Sequence, residues 1–147
     1  MLTVYMHPSC TSCRKTKKWL CANNIEFRER HLFRETPTYE ELLHLLSLTT
    51  EGIDEILATR SQSFKQLVEN VEEWPLSKVV ELLVKEPRLL RRPIITDGKR
   101  LVVGYNPSAL KNIAKNIGAY VFHDVHPHMG EYFLNFLRMK KEFDETC

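Results

Sequence analysis

The sequence predicts an α/β protein, a mixed four-stranded sheet with a helical subdomain inserted into it. Three observations predict this. A strand–helix–strand pattern occupies Leu2 to Arg30. A block from about residue 36 to residue 88 is nearly all helical, with no strand-like run. A proline-led hairpin follows between Arg91 and Val103. The strand–helix–strand crossover builds a parallel pair and the tight hairpin an antiparallel one, so the sheet is mixed.

Leu2-Thr3-Val4-Tyr5-Met6 is the first strand. It feeds through Pro8-Ser9 into a helix from Thr11 to about Ala22, with Trp19 and Leu20 apolar and the lysines outward. Asn23-Asn24 ends that helix. Ile25 to Arg30 alternates, Ile25 and Phe27 inward, Glu26 and Arg28 outward, as a half-buried strand does. In the insert, Thr38 is the N-cap of a helix over Tyr39 to Leu48, with Glu41 at the reciprocal capping-box position. Thr49-Thr50-Glu51-Gly52 interrupts it, and Asp54 to Ala58 is expected to resume a helix. Phe64 to Glu69 suggests a further short turn, and Pro75-Leu76-Ser77 opens a helix over Lys78 to Lys85 that Pro87 stops. Pro93 leads a strand within Arg91 to Thr96, Asp97-Gly98-Lys99 signals the turn, and Arg100 to Val103 returns. Asn106-Pro107-Ser108 caps a last core helix from Ala109 to about Asn116, with Leu110 and Ile113 inward. These elements predict one domain over residues 1–117. The tail, 118–147, is expected to hold an amphipathic helix from about Glu131 to Lys141.

The chemistry concentrates at Cys10-Thr11-Ser12-Cys13. This spacing at a helix start brings both sulfurs to one face of the first turn, where a disulfide can close with little backbone movement. Unpaired backbone N–H groups and the positive end of the helix dipole stabilise a thiolate there, and Arg14, Lys15, Lys17 and Lys18 add cationic charge. The expected result is an attacking Cys10 thiol of lowered pKa, with Cys13 as the resolving partner. Two other readings stand beside it. One is half of a zinc site completed by His123, His126 and His128; the other is a pair of buried structural cysteines. A motif that opens a helix, far in sequence from those histidines, argues against the first. The polar neighbours Ser9, Thr11 and Ser12 argue against the second. Cys21 reads as core or near-surface packing and Cys147 as an incidental exposed thiol.

The 147 residues, 43% apolar and 27% charged with a net charge of +2, suit a globular domain and carry no polyelectrolyte signal. No run approaches the ~18 apolar residues of a membrane span, and nothing at the N-terminus resembles an export signal. Four cysteines, two at close spacing, fit a cytoplasmic protein with one redox site better than a disulfide framework. No cofactor and no metal are expected.

The order of strand, C-x-x-C helix, strand, helical insert, hairpin and closing helix resembles the thioredoxin-like fold. In that fold the proline before the third strand is a cis residue beside the redox pair, and Pro93 is the matching position. The likeness is closer still in four stretches. They are Pro8-Ser9-Cys10-Thr11-Ser12-Cys13-Arg14-Lys15, Asp54-Glu55-Ile56 followed by Thr59-Arg60-Ser61, Leu89-Leu90-Arg91-Arg92-Pro93-Ile94-Ile95, and Lys99-Arg100-Leu101 with Val103-Gly104-Tyr105-Asn106. Over residues 1 to about 117 these resemble the Spx proteins, redox-responsive transcription regulators within the arsenate reductase/Spx (ArsC-like) family.

The resemblance implies a protein that binds the C-terminal domain of the RNA polymerase α subunit and meets promoter DNA only within the polymerase complex. Oxidation of Cys10 and Cys13 would be its switch, turning on thiol-homeostasis genes and hindering other activators. Gly52 matches the glycine through which the family touches the polymerase; the alternative is a helix-ending glycine. Arg60 and Arg92 match arginines that in the arsenate reductases hold an oxyanion near the reactive cysteine. In Spx proteins, Arg92 goes with the oxidised active state and Arg60 with the polymerase-binding form; a plain ion pair is the alternative for each. The resemblance also implies turnover by a Clp-type protease with help from an adaptor, in which recognition involves the C-terminal end, and no membrane partner is expected. Here the chain departs from the family by ending in Asp144-Glu145-Thr146-Cys147 and by carrying His7 before the cysteine motif. The rival reading is a glutaredoxin-linked arsenate reductase, which shares the cysteine, the two arginines and a histidine like His7. Those enzymes have a third oxyanion-binding arginine where this chain reads Val102-Val103-Gly104-Tyr105. A simple disulfide-exchange enzyme is a third reading, opposed by the absence of an aromatic-Cys-Gly-Pro-Cys sequence.

Overall fold

Alternation along the strands divides the core into two layers. The computed structural model describes residues 1–67 and 69–116. In it β1 (Leu2–Met6), β2 (Phe27–His31), β3 (Ile94–Thr96) and β4 (Leu101–Val103) form one sheet in the order β2-β1-β3-β4. β1 and β2 are parallel; β1–β3 and β3–β4 are antiparallel. The sheet is therefore mixed and four-stranded, as expected. Val4, Ile95 and Val102 stand opposite one another across three strands, and Tyr5, Ile94 and Val103 form the next row. Side chains of adjacent rows point to opposite faces.

On one face Leu2, Val4, Met6, Ile95 and Val102 pack with Leu20 of α1 (Thr11–Ala22) and with Leu110, Ile113 and Ala114 of α5 (Pro107–Asn116). On the other, Tyr5 and Ile94 meet the helical segment between β2 and β3. That segment contributes Leu42 and Leu45 from α2 (Tyr39–Ser47), Val79, Val80 and Leu83 from α4 (Leu76–Lys85), and Ile56, Leu57, Leu89 and Leu90 from the connections.

Local chemistry accounts for the helix starts. The Glu41 backbone N–H donates to the Thr38 hydroxyl at 3.2 Å, and the Glu41 carboxylate accepts from the Thr38 N–H at 3.4 Å, so the capping box is formed. The expected short turn near Phe64 is the helix α3 (Gln62–Leu67), opened by the Ser61 hydroxyl, which accepts the Phe64 N–H at 3.1 Å. α4 starts two residues before Lys78, because the Pro75 carbonyl accepts the N–H groups of Lys78 and Val79. α5 likewise starts at Pro107, with the Asn106 side chain accepting the Ala109 N–H at 3.2 Å.

Three expectations are corrected. Asp54 to Ala58 does not form a helix. Only a 3-10 turn, Ile53–Glu55, is present, since Leu57 pairs as an isolated antiparallel bridge with Leu90, the Ala58 N–H donates to Leu89 and the Arg91 N–H to Ile56. The third strand begins at Ile94 rather than Arg91, because residues 90 and 91 are engaged in that bridge. The second strand begins at Phe27: Asn24 turns through a positive φ of 55°, and the Ile25 N–H still donates to Leu20 at the end of α1. The tail helix expected from Glu131, and the histidines of residues 123 to 128, lie outside the described residues.

Candidate redox site

β1 ends at Met6, and four residues later Cys10 becomes the N-cap of α1, with φ −82° and ψ 121°. The extended Cys10 backbone lets its side chain fold back over the first turn, where its Sγ accepts the Cys13 N–H at 3.4 Å. The Cys10 N–H donates to the His7 carbonyl at 3.2 Å, and the Arg14 N–H to the Cys10 carbonyl at 3.1 Å. Cys13 is 1% exposed and packs with the α1–sheet layer, whereas Cys10 is half-buried; both are free thiols.

The two thiols differ sharply. Burial works against ionisation of Cys10. Hydrogen bonds from the Cys13 thiol and from the Cys13 and Ser12 backbone N–H groups, with the charge of Arg92, outweigh it and bring the Cys10 pKa below the ordinary thiol value. Burial, then hydrogen bonding to Cys10, pushes Cys13 up to about 12. A thiolate at Cys10 supported by a protonated Cys13 is the arrangement of an attacking and a resolving sulfur.

Arg92 lies beside this site, in a cis peptide bond with the buried Pro93, whose carbonyl accepts the Gly104 N–H at 2.8 Å. A cleft of about 500 Å³ opens beside the sulfur, lined by Cys10, Asp54, Arg60, Ser61, Arg91 and Arg92 among others. The antiparallel bridge between Leu57 and Leu90 draws the segment carrying Arg60 to the segment carrying Arg92. Arg60 is exposed, and Arg91 also donates to the Glu55 carbonyl at 3.3 Å. After β4 the chain turns at Gly104 into Tyr105, which is 39% exposed, so residues 101–105 bring no arginine to the cleft.

Gly52 is not among the residues lining this cleft. It is exposed, opens the 3-10 turn by accepting the Glu55 N–H at 3.2 Å, and has φ 84° and ψ −153°. It is thus not a helix-ending glycine. This backbone region is essentially closed to other residues, although a Cβ there would meet nothing within 4 Å. Among the described residues no three His, Cys, Asp or Glu side chains are grouped to hold a metal, and no helix is long and apolar enough to cross a membrane.

Two neighbours of the site had no motif to mark them. His31 and Phe33 lie against His7, with ring centroids 5.3 Å and 4.7 Å from it. The signal for His31 is the parallel register of β1 and β2, which sets it opposite Met6 at the strand end leading to Cys10.

The fold and the paired thiols at the start of its first helix define a thioredoxin-like dithiol protein. A family model described as the ArsC family matches residues 5–113, and the chain belongs to that family. It is 67% identical over 114 residues to the regulatory protein MgsR of Bacillus subtilis (strain 168), covering 78% of this chain and 90% of that one. It is 48% identical over 111 residues to the global transcriptional regulator Spx of the same organism, covering 76% and 85%. These relatives are named regulators rather than enzymes. Among solved structures, an arsenate reductase from Vibrio cholerae superposes with a TM-score of 0.68 at 21% identity, over 76% of this chain and 96% of that one, a likeness of fold.

Proposed function

We propose that this protein is a cytoplasmic, redox-sensing transcription regulator that binds the C-terminal domain of the RNA polymerase α subunit. The observation that carries the redox part is Cys10 at the N-cap of α1, with the Cys13 N–H on its sulfur and the charge of Arg92 beside it. The regulatory part is supported by relatives named as a regulatory protein and as global transcriptional regulators, which this chain matches over 85–90% of their length.

The switch chemistry balances with a hydroperoxide as oxidant. The Cys10 thiolate attacks the peroxide, the O–O bond breaks, and an alcohol or water leaves with a proton from solvent, giving a sulfenic acid at Cys10. The Cys13 sulfur then attacks that sulfur, loses its proton, and water departs as the disulfide closes. Two electrons pass from the dithiol to the peroxide. The charge of Arg92 stabilises the attacking thiolate and loses that partner once the disulfide forms, which ties Arg92 to the oxidised state. Arg60, on the facing wall of the cleft, and Gly52, at the exposed start of the 3-10 turn, belong to the polymerase-binding surface in this reading. Promoter DNA enters only through the polymerase, and a Clp-type protease with its adaptor limits the protein's lifetime. Residues 1–117 act as one domain, with the helical insert at about 36–88 carrying the contact.

The test is binding of the full-length protein, oxidised and reduced in parallel, to the purified C-terminal domain of the polymerase α subunit by fluorescence anisotropy. Saturable binding that Gly52→Arg abolishes and Gly52→Ala retains supports the reading. No binding in either state overturns it and shifts the assignment to arsenate reduction with glutathione, the activity that Cys10 with Arg60 and Arg92 on one cleft would serve.

A further inference from the structure

Near Arg92 and the start of the cysteine motif, three rings form a shelf. His7 stands at the end of β1, His31 at the end of β2 and Phe33 just beyond it. The His7 and Phe33 centroids are 4.7 Å apart, His7 and His31 5.3 Å, and His31 and Phe33 6.1 Å. Hydrogen bonds orient both imidazoles. His7 Nδ1 lies 3.3 Å from the Ser9 N–H and 2.6 Å from its hydroxyl, and His31 Nδ1 accepts the N–H groups of Phe33 and Arg34 at 3.2 Å each. A backbone N–H can only donate, so these contacts fix the direction in which each Nδ1 points.

The Arg92 guanidinium lies over the Phe33 ring, 5.5 Å from its centroid, within the range of a cation–π contact. Its Nη1 is buried and finds no hydrogen-bond partner among the described residues. Phe33 is 38% exposed, more than core packing calls for in a ring of this size. Its ring is in contact with the two imidazoles and with the Arg92 guanidinium.

We propose that Phe33 is a positioning residue for the thiol switch, holding Arg92 beside Cys10 by stacking under its guanidinium, with His7 and His31 fixing the ring. The proposal rests on the redox reading of Cys10 and Cys13, and it locates control of Cys10 reactivity in the loop after β2. It also accounts for the lowered His7 pKa, set first by desolvation and then by the charges of His31 and Arg92, since an imidazolium there would face the guanidinium on the same ring.

The experiment is the pH profile of Cys10 alkylation by iodoacetamide, read on the Cys10 peptide by mass spectrometry in the full-length reduced protein. In the reaction the thiolate displaces iodide from the methylene carbon, so the rate follows the ionised fraction. Phe33→Leu is expected to move the midpoint to higher pH and to lower the neutral-pH rate about two- to fivefold, the size of a part-exposed cation–π contact. Phe33→Trp is expected to restore the parent profile. In an Arg92→Gln background, Phe33→Leu is expected to have no further effect. A parent-like profile for Phe33→Leu, or an equal shift in the Arg92→Gln background, overturns the positioning role while leaving the redox reading intact. An ordinary thiol profile in the parent protein overturns the redox reading itself.

Discussion

Gly52 and Cys10 are the two positions where a single residue's backbone decides what the site can do. Cys10 adopts the extended conformation of an N-cap, so its sulfur takes the place usually held by a serine or aspartate oxygen over the first helical N–H groups. Such a position selects the thiolate, because the donors it satisfies favour negative charge. At Gly52 the constraint is steric and internal: with φ 84° and ψ −153°, any side chain clashes with its own backbone although the space around it is empty. Gly52→Ala is therefore expected to cost about 1–3 kcal/mol of stability, measured as a lowered urea midpoint at unchanged slope. A midpoint equal to the parent's would show that the turn relaxes freely, and Gly52→Arg would then report on contact alone.

At the level of elements, the helical insert is held to the sheet by a polar clamp as well as by apolar packing. Arg30 of β2 pairs with the Glu41 carboxylate of α2 and donates to the Glu35 carbonyl at 2.9 Å. The Tyr5 hydroxyl of β1 donates to the same carboxylate at 2.9 Å, with the Arg30 guanidinium 5.0 Å from the Tyr5 ring centroid. Burial, then the bond to Glu41, pushes the Tyr5 pKa up to about 12. For Glu41, burial opposes ionisation, but the Arg30, Tyr5 and Thr38 hydrogen bonds outweigh it and lower the pKa below 4.5. A carboxyl with a depressed folded value contributes stability that is fully present above its unfolded value and is lost as pH falls through the folded one. Urea unfolding from neutral pH down to the acid range should therefore show a falling midpoint, and Glu41→Gln should start lower at neutral pH and fall less. Parallel curves for the two proteins would show that the clamp carries no linkage. A further tie joins α2 to the β3–β4 turn, where the His44 Nε2 lies 2.9 Å from the Gly98 carbonyl.

Across the whole molecule, the sheet separates two jobs. One face seats α1, which presents the dithiol; the other seats the insert, which supplies the opposite wall of the cleft through Arg60 and the Leu57–Leu90 bridge. The relative placement of Cys10 and Arg60 thus depends on the apolar packing of the two core layers. Leu83 is fully buried in the insert-side core, and Leu83→Ala is expected to destabilise the protein by about 2–5 kcal/mol in urea unfolding. Leu43, 38% exposed on α2, is the matched control, with an expected change for Leu43→Ala within about 0.5 kcal/mol. Equal effects at the two positions would contradict the layer assignment.

By itself the sequence determined the features whose signals are local. Strand alternation set the two faces of β1, the Thr38–Glu41 pair specified the start of α2, Asp97-Gly98 specified the hairpin turn, and the cysteine spacing at a helix start specified the dithiol. Each depends on neighbours within one helical turn or one strand pair. Only the tertiary structure decided the course of Asp54 to Ala58. Helical propensity there gives way to pairing with residues 89 to 91, because satisfied backbone bonds across the chain outweigh a few tenths of a kcal/mol per residue of intrinsic preference. The same long-range closure made the cleft, and it brought Phe33 under Arg92, residues whose separation in sequence carries no periodic or spacing signal. Contacts of that kind exist only once the two core layers have packed and fixed the distance between them.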